Sequence, residues 1–396
     1  MPRIYVVGTA DTKPEELQFI AARIKDSGGD CAIVDVGTLP SNIAVDVTSA
    51  EVAAFAEGGP DSVLKAPGRG EAVTAMGDAL AGYLRNQDDI AGVIGIGGGG
   101  GTSIVTTGMR ELPLGVPKIM VSTLASGDVS PYVGVSDIIF MPSVSDMTGM
   151  NRLTRVILHN AANAIAGMAA SPAPSPSGKP AIGLTMFGVT TTAVNAMTDF
   201  LKSDFDCLAF HATGTGGRAM ENLATNDLLV GVLDITTTEV CDLLFDGVLP
   251  ALPTRMDIIA EKKIPYVASV GALDMVNFWA PDTVPAKFAD RQFHYHNPNV
   301  TLMRTTLDEN RQMGTWIGNK INVCEGPVRF LIPEKGISAL DIEGGDFFDP
   351  EISAALFEAI EQTVNWTDDR QLVRVPHHIN DPEFAEAAVS AFRAIL

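Results

Sequence analysis

Short apolar runs alternate with amphipathic stretches along the first part of the chain. RIYVVG (3–8), CAIVDVG (31–37), IAGVIGIG (90–97) and VPKIMVST (116–123) have the length and composition of buried strands. Between them lie helical patterns. In KPEELQFIAARIKDSG (13–28), Leu17, Ile20 and Ile24 share a stripe, with Pro14 at the start and Gly28 at the end. In GEAVTAMGDALAGYLRN (70–86), Val73, Met76, Leu80 and Leu84 align. A longer pattern over 149–170 places Leu153, Val156, Ile157, Asn160, Ala164 and Met168 on one face. Strand alternating with helix predicts a parallel, doubly wound sheet.

The segment SPAPSPSGKP (171–180) interrupts this grammar. Four prolines with serine and glycine predict a linker between a first α/β lobe, 1–170, and a second, 181–396. The second lobe repeats the first. AIGLTMFGVTTTAV echoes RIYVVGTADTKPEEL, LLVGVLDITTTEV stands where AGVIGIGGGGGTSI stood, and IPYVASVGALD echoes VPKIMVSTLASGD. The fold class is therefore α/β, with two lobes that each carry a mainly parallel sheet flanked by helices.

Polar loops follow the strands, and only on one side. TADTK, GGGGGTS, STLASGD, FGVTTT, HATGTGGR, DITTTE and GALDMVN each come directly after an apolar run. In a parallel sheet these loops share the carboxyl edge, where ligands bind at the point of strand-order reversal. The five glycines Gly97, Gly98, Gly99, Gly100 and Gly101 predict bare N–H groups forming an anion nest, with the next helix adding its positive end. Thr102 and Ser103 are expected to cap that helix and offer hydroxyls. No lysine follows as it would in a P-loop; Lys13 in the neighbouring TADTK supplies the cation instead. Asp11 is placed to hold magnesium or a ribose hydroxyl. Thr9, Thr12, Ser122, Thr123, Ser126 and Gly127 complete the expected cofactor rim.

The second lobe offers different chemistry. His211, Asp234, Glu239, Asp274 and Arg304 are candidate catalytic groups for an oxygen-rich substrate, with carboxylates as bases and His211 or Arg304 stabilising charge. His294 and His296 alternate as on a strand, but spacing fixes no third ligand, so no metal site is assigned. His377 and His378 follow a proline and predict a surface loop.

Composition narrows the partners. The chain is 46% hydrophobic with 27 Lys+Arg against 48 Asp+Glu, a net charge of −21. Such a surface repels a phosphate backbone, which excludes general nucleic-acid binding. No apolar run reaches the ~18 residues of a membrane helix. Four cysteines without a CxxC pattern, and no leader pattern, predict reduced thiols in a cytoplasmic protein.

Taken together, GTADTK, GGGGTS, VSTLASGD, VGVSDI, MFGVTT, HATGTGGRAME, DITTTEV, VGALDMVNF, HNPNVTLMRTT and FDPE resemble the ATP-binding domain family of the tomato mosaic virus resistance protein. The resemblance runs from about residue 4 to about residue 364. It implies Rossmann-like halves, a homodimer, and ATP in the first lobe on TADTK and GGGGGTS, with magnesium as the phosphates' companion. The functional expectation is an ATP-dependent enzyme acting on an oxygenated acid or sugar derivative. The alternative is an ATP-binding regulatory or interaction module without catalysis.

Overall fold

The computed structural model describes residues 2–171 and 178–396. Most of the 171–180 segment lies outside the described residues, and the chain divides there into two compact units. No described helix is long and apolar enough to cross a membrane.

In the first unit, β1 (Arg3–Gly8), β2 (Cys31–Asp35), β3 (Ile90–Gly97), β4 (Lys118–Ser122) and β5 (Ile139–Pro142) form one sheet in the order β2-β1-β3-β4-β5. All neighbours are parallel, with Val7 level with Val34 on one side and Gly95 on the other. Successive β1 residues face opposite layers because side chains alternate along a strand. Tyr5 and Val7 join the core under the helices Arg69–Arg85 and Gly99–Arg110. Ile4 and Val6 join the core under Pro14–Asp26 and Arg152–Ala170. The chain winds from β1 out to β2 and returns to β3 on the other side, so the β1/β3 boundary is the switch point.

The Arg152–Ala170 helix buries a face offset from the one expected, with Ile157, Ala164 and Met168 of the expected stripe packed only at its border. Leu158, Ala161, Ala162, Ile165 and Ala166 are buried, whereas Leu153 and Val156 are exposed. Small residues win because they let the helix approach the sheet closely. A Cβ at Gly92 would already stand 3.2 Å from the Ile165 Cδ1.

The second unit contains β6 (Ala181–Met186), β7 (Asp206–His211), β8 (Gly231–Thr236), β9 (Tyr266–Gly271), β10 (Met275–Phe278), β11 (Phe293–Asn297), β12 (Val300–Arg304), β13 (Val328–Pro333) and β14 (Arg370–Val375). Its main sheet is parallel, in the order β14-β13-β9-β8-β6-β7. Counted from β6, this repeats the winding of the first unit and adds one strand. The strands paired by the sequence echo, β6 with β1, β8 with β3 and β9 with β4, hold equivalent sheet positions. One addition was not legible in the alternation: β10, β12 and β11 form a separate antiparallel sheet inserted between β9 and β13.

Candidate functional site

At the first switch point, β1 runs into a tight turn in which the N–H groups of Thr12 and Lys13 both donate to the Thr9 carbonyl, at 3.1 and 2.9 Å. On the other side β3 passes almost directly into the helix Gly99–Arg110, with Gly98 as N-cap. The glycine run is thus no free loop. None of Gly97 to Gly101 has the positive φ that alternates in an anion nest. Three of the five are the first turn of a helix. The first intrahelical bond is Thr102 N–H to Gly98 C=O, 2.8 Å, which leaves the N–H groups of Gly99, Gly100 and Gly101 as helix-terminal donors.

Why glycine is needed differs along the run. A Cβ at Gly97 would lie 2.6 Å from the Thr102 nitrogen and 2.7 Å from the Gly101 carbonyl carbon, so Gly97 permits the sharp strand-to-helix turn. A Cβ at Gly99 would meet nothing within 4 Å. Gly99 is bare on its open side, and that side is a cleft.

The cleft has a volume of about 460 Å³ and is lined by Thr9, Asp11, Thr12, Lys13, Arg69 and Gly98 to Gly101 on its polar side. Val36, Leu39, Ala72, Val73 and Ile104 give it an apolar wall. Lys13 Nζ donates to the Met147 carbonyl at 2.5 Å, which holds the ammonium at the rim with two N–H bonds to spare. Arg69 is exposed and has no hydrogen-bond or ion-pair partner among the described residues. Its Nη2 lies 4.0 Å from where a Gly100 Cβ would be. Asp11 Oδ2 accepts the Leu39 N–H at 3.3 Å, while its Oδ1 is buried without a partner. Behind it Asp35 accepts the N–H groups of Ala10 (2.9 Å) and Gly37 (2.8 Å), stitching the loops after β1 and β2 together. Burial raises the Asp35 pKa.

Several expected rim residues stand elsewhere. Thr102 and Ser122 are fully buried and share a hydrogen bond of 2.7 Å, so neither hydroxyl reaches the cleft. Gly98 receives no side-chain cap, which removes the capping role expected of Thr102 and Ser103. Ser103 is outside the cleft lining, and its carbonyl accepts the Thr107 hydroxyl at 2.9 Å. Thr123 borders Gly98, and its N–H donates to the Gly97 carbonyl at 3.2 Å. Ser126 and Gly127 belong to an exposed turn that does not line the cleft. Arg69 and Asp35 were missed by reading loops alone. The signals were a basic residue opening a helix and an acid inside an apolar strand.

The second-unit candidates do not gather at one surface. Asp234 and Glu239 are fully buried around Arg255, itself 1% exposed. Arg255 donates to Asp234 (2.7 and 2.8 Å), to Glu239 (2.5 Å) and to Glu221 (2.9 Å). Tyr266 OH and Thr185 Oγ1 also donate to Asp234, at 2.5 and 2.7 Å, and the Gly214 N–H donates to Glu239 at 2.7 Å. These carboxylates are committed to a structural knot at the second switch point, between β6 and β8, where Thr190 and Thr236 also bond each other. Where the first unit has bare glycine backbone after β3, the second has the buried carboxylate Glu239 after β8.

His211 ends the edge strand β7, its ring 5.1 Å from that of Phe187. Asp274 and Arg304 sit together beyond β9, apart from the Arg255 knot. His294 Nδ1 pairs with Asp346 at 2.6 Å, and its ring lies 6.4 Å from that of His296. On the surface after β14, His377, Asp381 and Glu383 bring ligand atoms within 4.8 Å of one another. His378, by contrast, is buried and bonds the Ser338 carbonyl at 2.9 Å, so only His377 fits the expected surface loop.

The fold and the first-unit cleft place the chain among α/β proteins built on parallel sheets flanked by helices. It belongs to the uncharacterised protein family UPF0261, whose N-terminal domain matches residues 2–174 and whose C-terminal domain matches 179–396. A family protein from Rhizobium meliloti (strain 1021) is 64% identical over 395 residues, covering 100% of this chain and 99% of its own length. One from Clostridium tetani is 45% identical over 391 residues, covering 97% and 96%. The ToMV resistance protein Tm-1 of Solanum lycopersicum is 42% identical over 420 residues; the match covers 100% of this chain and 56% of the tomato protein. Among solved structures, the glycosyltransferase SnogD from Streptomyces nogalater aligns over 99% of this chain and 100% of its own at 10% identity and a TM-score of only 0.16.

Proposed function

We propose that this protein binds ATP in the first-unit cleft. The observation that carries the reading is the meeting, at the β1/β3 switch point, of free helix-terminal N–H groups, two cations and an apolar wall. The N–H groups of Gly99 to Gly101 and the positive helix end suit phosphate oxygens. Arg69 offers a planar fork for bidentate phosphate contact, and Lys13 a point charge. Val36, Leu39, Val73 and Ile104 suit the faces of a purine. The Asp11 carboxylate in the cleft lining suits a ribose hydroxyl or a magnesium ion that accompanies the phosphates.

Binding is the core of the proposal, and catalysis is the wider reading. An ATP-dependent enzyme acting on an oxygenated acid or sugar derivative finds no free base in Asp234 and Glu239, which are held by Arg255. A regulatory module needs only the cleft. Release of ADP in the presence of a panel of sugar acids separates the two readings. A homodimer, implied by the family resemblance, is checked by light scattering. The name of the tomato relative refers to virus resistance, and that role is not carried over to a chain spanning 56% of its length.

The decisive variant is Gly99→Val. Its side chain enters open space, so the fold is expected to survive, while ATP affinity falls by at least about tenfold, or 1.4 kcal/mol. Calorimetry giving the same affinity for both proteins would remove the phosphate site.

A further inference from the structure

Asp274 and Arg304 form a second feature, independent of the nucleotide reading. Asp274 immediately precedes β10 and Arg304 ends β12; Met275 and Arg304 are paired across the ladder, and the Thr305 N–H donates to the Asp274 carbonyl at 3.1 Å. Both side chains are sealed from solvent, at 0% and 4% exposure. Arg304 Nε donates to the Phe347 carbonyl at 2.8 Å and Nη1 to the Thr305 hydroxyl at 3.0 Å. Its Nη2 has no partner among the described residues. Asp274 Oδ2 accepts the Ser338 hydroxyl at 2.6 Å, whereas its Oδ1 has none. Asn310, fully buried on the following helix, donates through Nδ2 to the same Thr305 hydroxyl at 2.9 Å and leaves its Oδ1 unpartnered.

Three buried side chains thus each leave one polar atom over: a guanidinium donor and two oxygen acceptors. Such groups are costly when truly unpaired, and natural interiors rarely tolerate them in clusters. Arg304 and Asp274 do not solve the problem directly, since no ion pair joins them among the described residues, although the Arg304 charge is close enough to lower the Asp274 pKa against burial and Asp341.

The charge balance decides what fits between them. Arg304 carries one positive charge and faces two carboxyl groups, Asp274 and Asp341, both with pKa values raised by burial. A further anion would add negative charge to a site already balanced or in excess. A cation would face the Arg304 donor. A neutral hydroxyl oxygen satisfies both sides, because it accepts from Nη2 and donates to a carboxylate or amide oxygen.

We propose that the buried Asp274–Arg304–Asn310 cluster of the second unit is a binding site for a neutral hydroxyl oxygen that bridges Arg304 Nη2 to Asp274 Oδ1, with Asn310 Oδ1 as a further acceptor. The oxygen comes from an internal water or from a hydroxyl of a small polyol or sugar-like ligand. These two sources share the same recognition chemistry.

The test is a high-resolution crystal structure of the full chain, grown without polyol and again after soaking with erythritol. An ordered oxygen within about 3.2 Å of both Nη2 and Oδ1 is expected in the first crystal. If it persists unchanged in the soak, the source is water; if erythritol density replaces it, the source is a polyol ligand. A direct Arg304–Asp274 ion pair, an empty gap, or an inorganic anion bound there would overturn the proposal. Asp274→Leu provides a second readout: it removes the acceptor, and the bridging oxygen should disappear. A variant that retained the same oxygen would refute the bridge, and if that variant fails to fold, the wild-type crystals still decide.

Discussion

Single residues decide whether a polar group in this protein is a tool or a strut. Asp234 and Glu239 stand out in sequence as acids beside apolar runs, and that signal was correct about their being unusual. It was silent about Arg255, which lies in LPTRMD and reads as an ordinary loop cation. Their partnership is visible only in three dimensions. Breaking a buried ion-pair network by removing one member leaves charges uncompensated. Arg255→Met is therefore expected to cost about 3–5 kcal/mol in urea denaturation. A loss under about 1 kcal/mol would show that the three carboxylates do not depend on it. Asp242 poses a separate test. It accepts N–H bonds from Asn277 and Leu249, each at 2.8 Å, yet burial pushes its pKa up to about 7. Between the unfolded carboxyl value of roughly 3.9 and that point, the native state keeps a proton that the unfolded state has released. Stability from this group is therefore present at low pH and is lost as pH rises through the window, with a slope of up to about 1.4 kcal/mol per pH unit. Urea midpoints from pH 4 to 7 should fall less steeply in Asp242→Asn than in the parent; parallel curves would mean that Asp242 is ionised throughout.

At the scale of elements, the apolar runs were strong guides because a strand buried on both faces has almost no alternative environment. β1, β2, β3 and β4 all fall within the runs that the pattern marked. That the segments at the ends of β1 and β3 line one cleft was legible for the same reason: topology brings strand ends together whatever the loops contain. Helix faces were less legible. Counting large side chains misplaces the centre of the buried stripe of Arg152–Ala170, since alanines pack the closer interface. Of the antiparallel insertion only the alternation of His294 and His296 was legible, because β11 is mostly exposed and lacks an apolar run. Close helix packing recurs where Leu307–Asn322 meets Pro350–Thr363. A Cβ at Gly318 would be 2.7 Å from the Thr363 Cβ, and one at Gly314 2.6 Å from the Ala359 Cβ. Gly318→Leu should force the helices apart and cost about 1–3 kcal/mol. Gly167→Ala is the control: it meets nothing within 4 Å in its own helix and should raise stability by up to about 1 kcal/mol. Equal thermal midpoints for the two variants would contradict the packing account.

The whole molecule is two units with separate cores. Clusters around Tyr5 and Ile4 belong to the first, and clusters around Tyr266 and Ile182 to the second. Each sheet is covered on both faces within its own unit, so each satisfies its own burial. The two windings match, but their crests are furnished differently: bare backbone, Arg69 and a carbonyl-held Lys13 in one, a guanidinium clasped by three acids in the other. On the proposed reading, only the first crest takes a nucleotide. A calorimetric titration of the intact polypeptide should saturate at one equivalent of nucleotide, and a fragment comprising 178–396 should fold with a cooperative melt yet release no heat with ATP. Two equivalents per polypeptide would mean that the acid-clasped crest can also open for a guest.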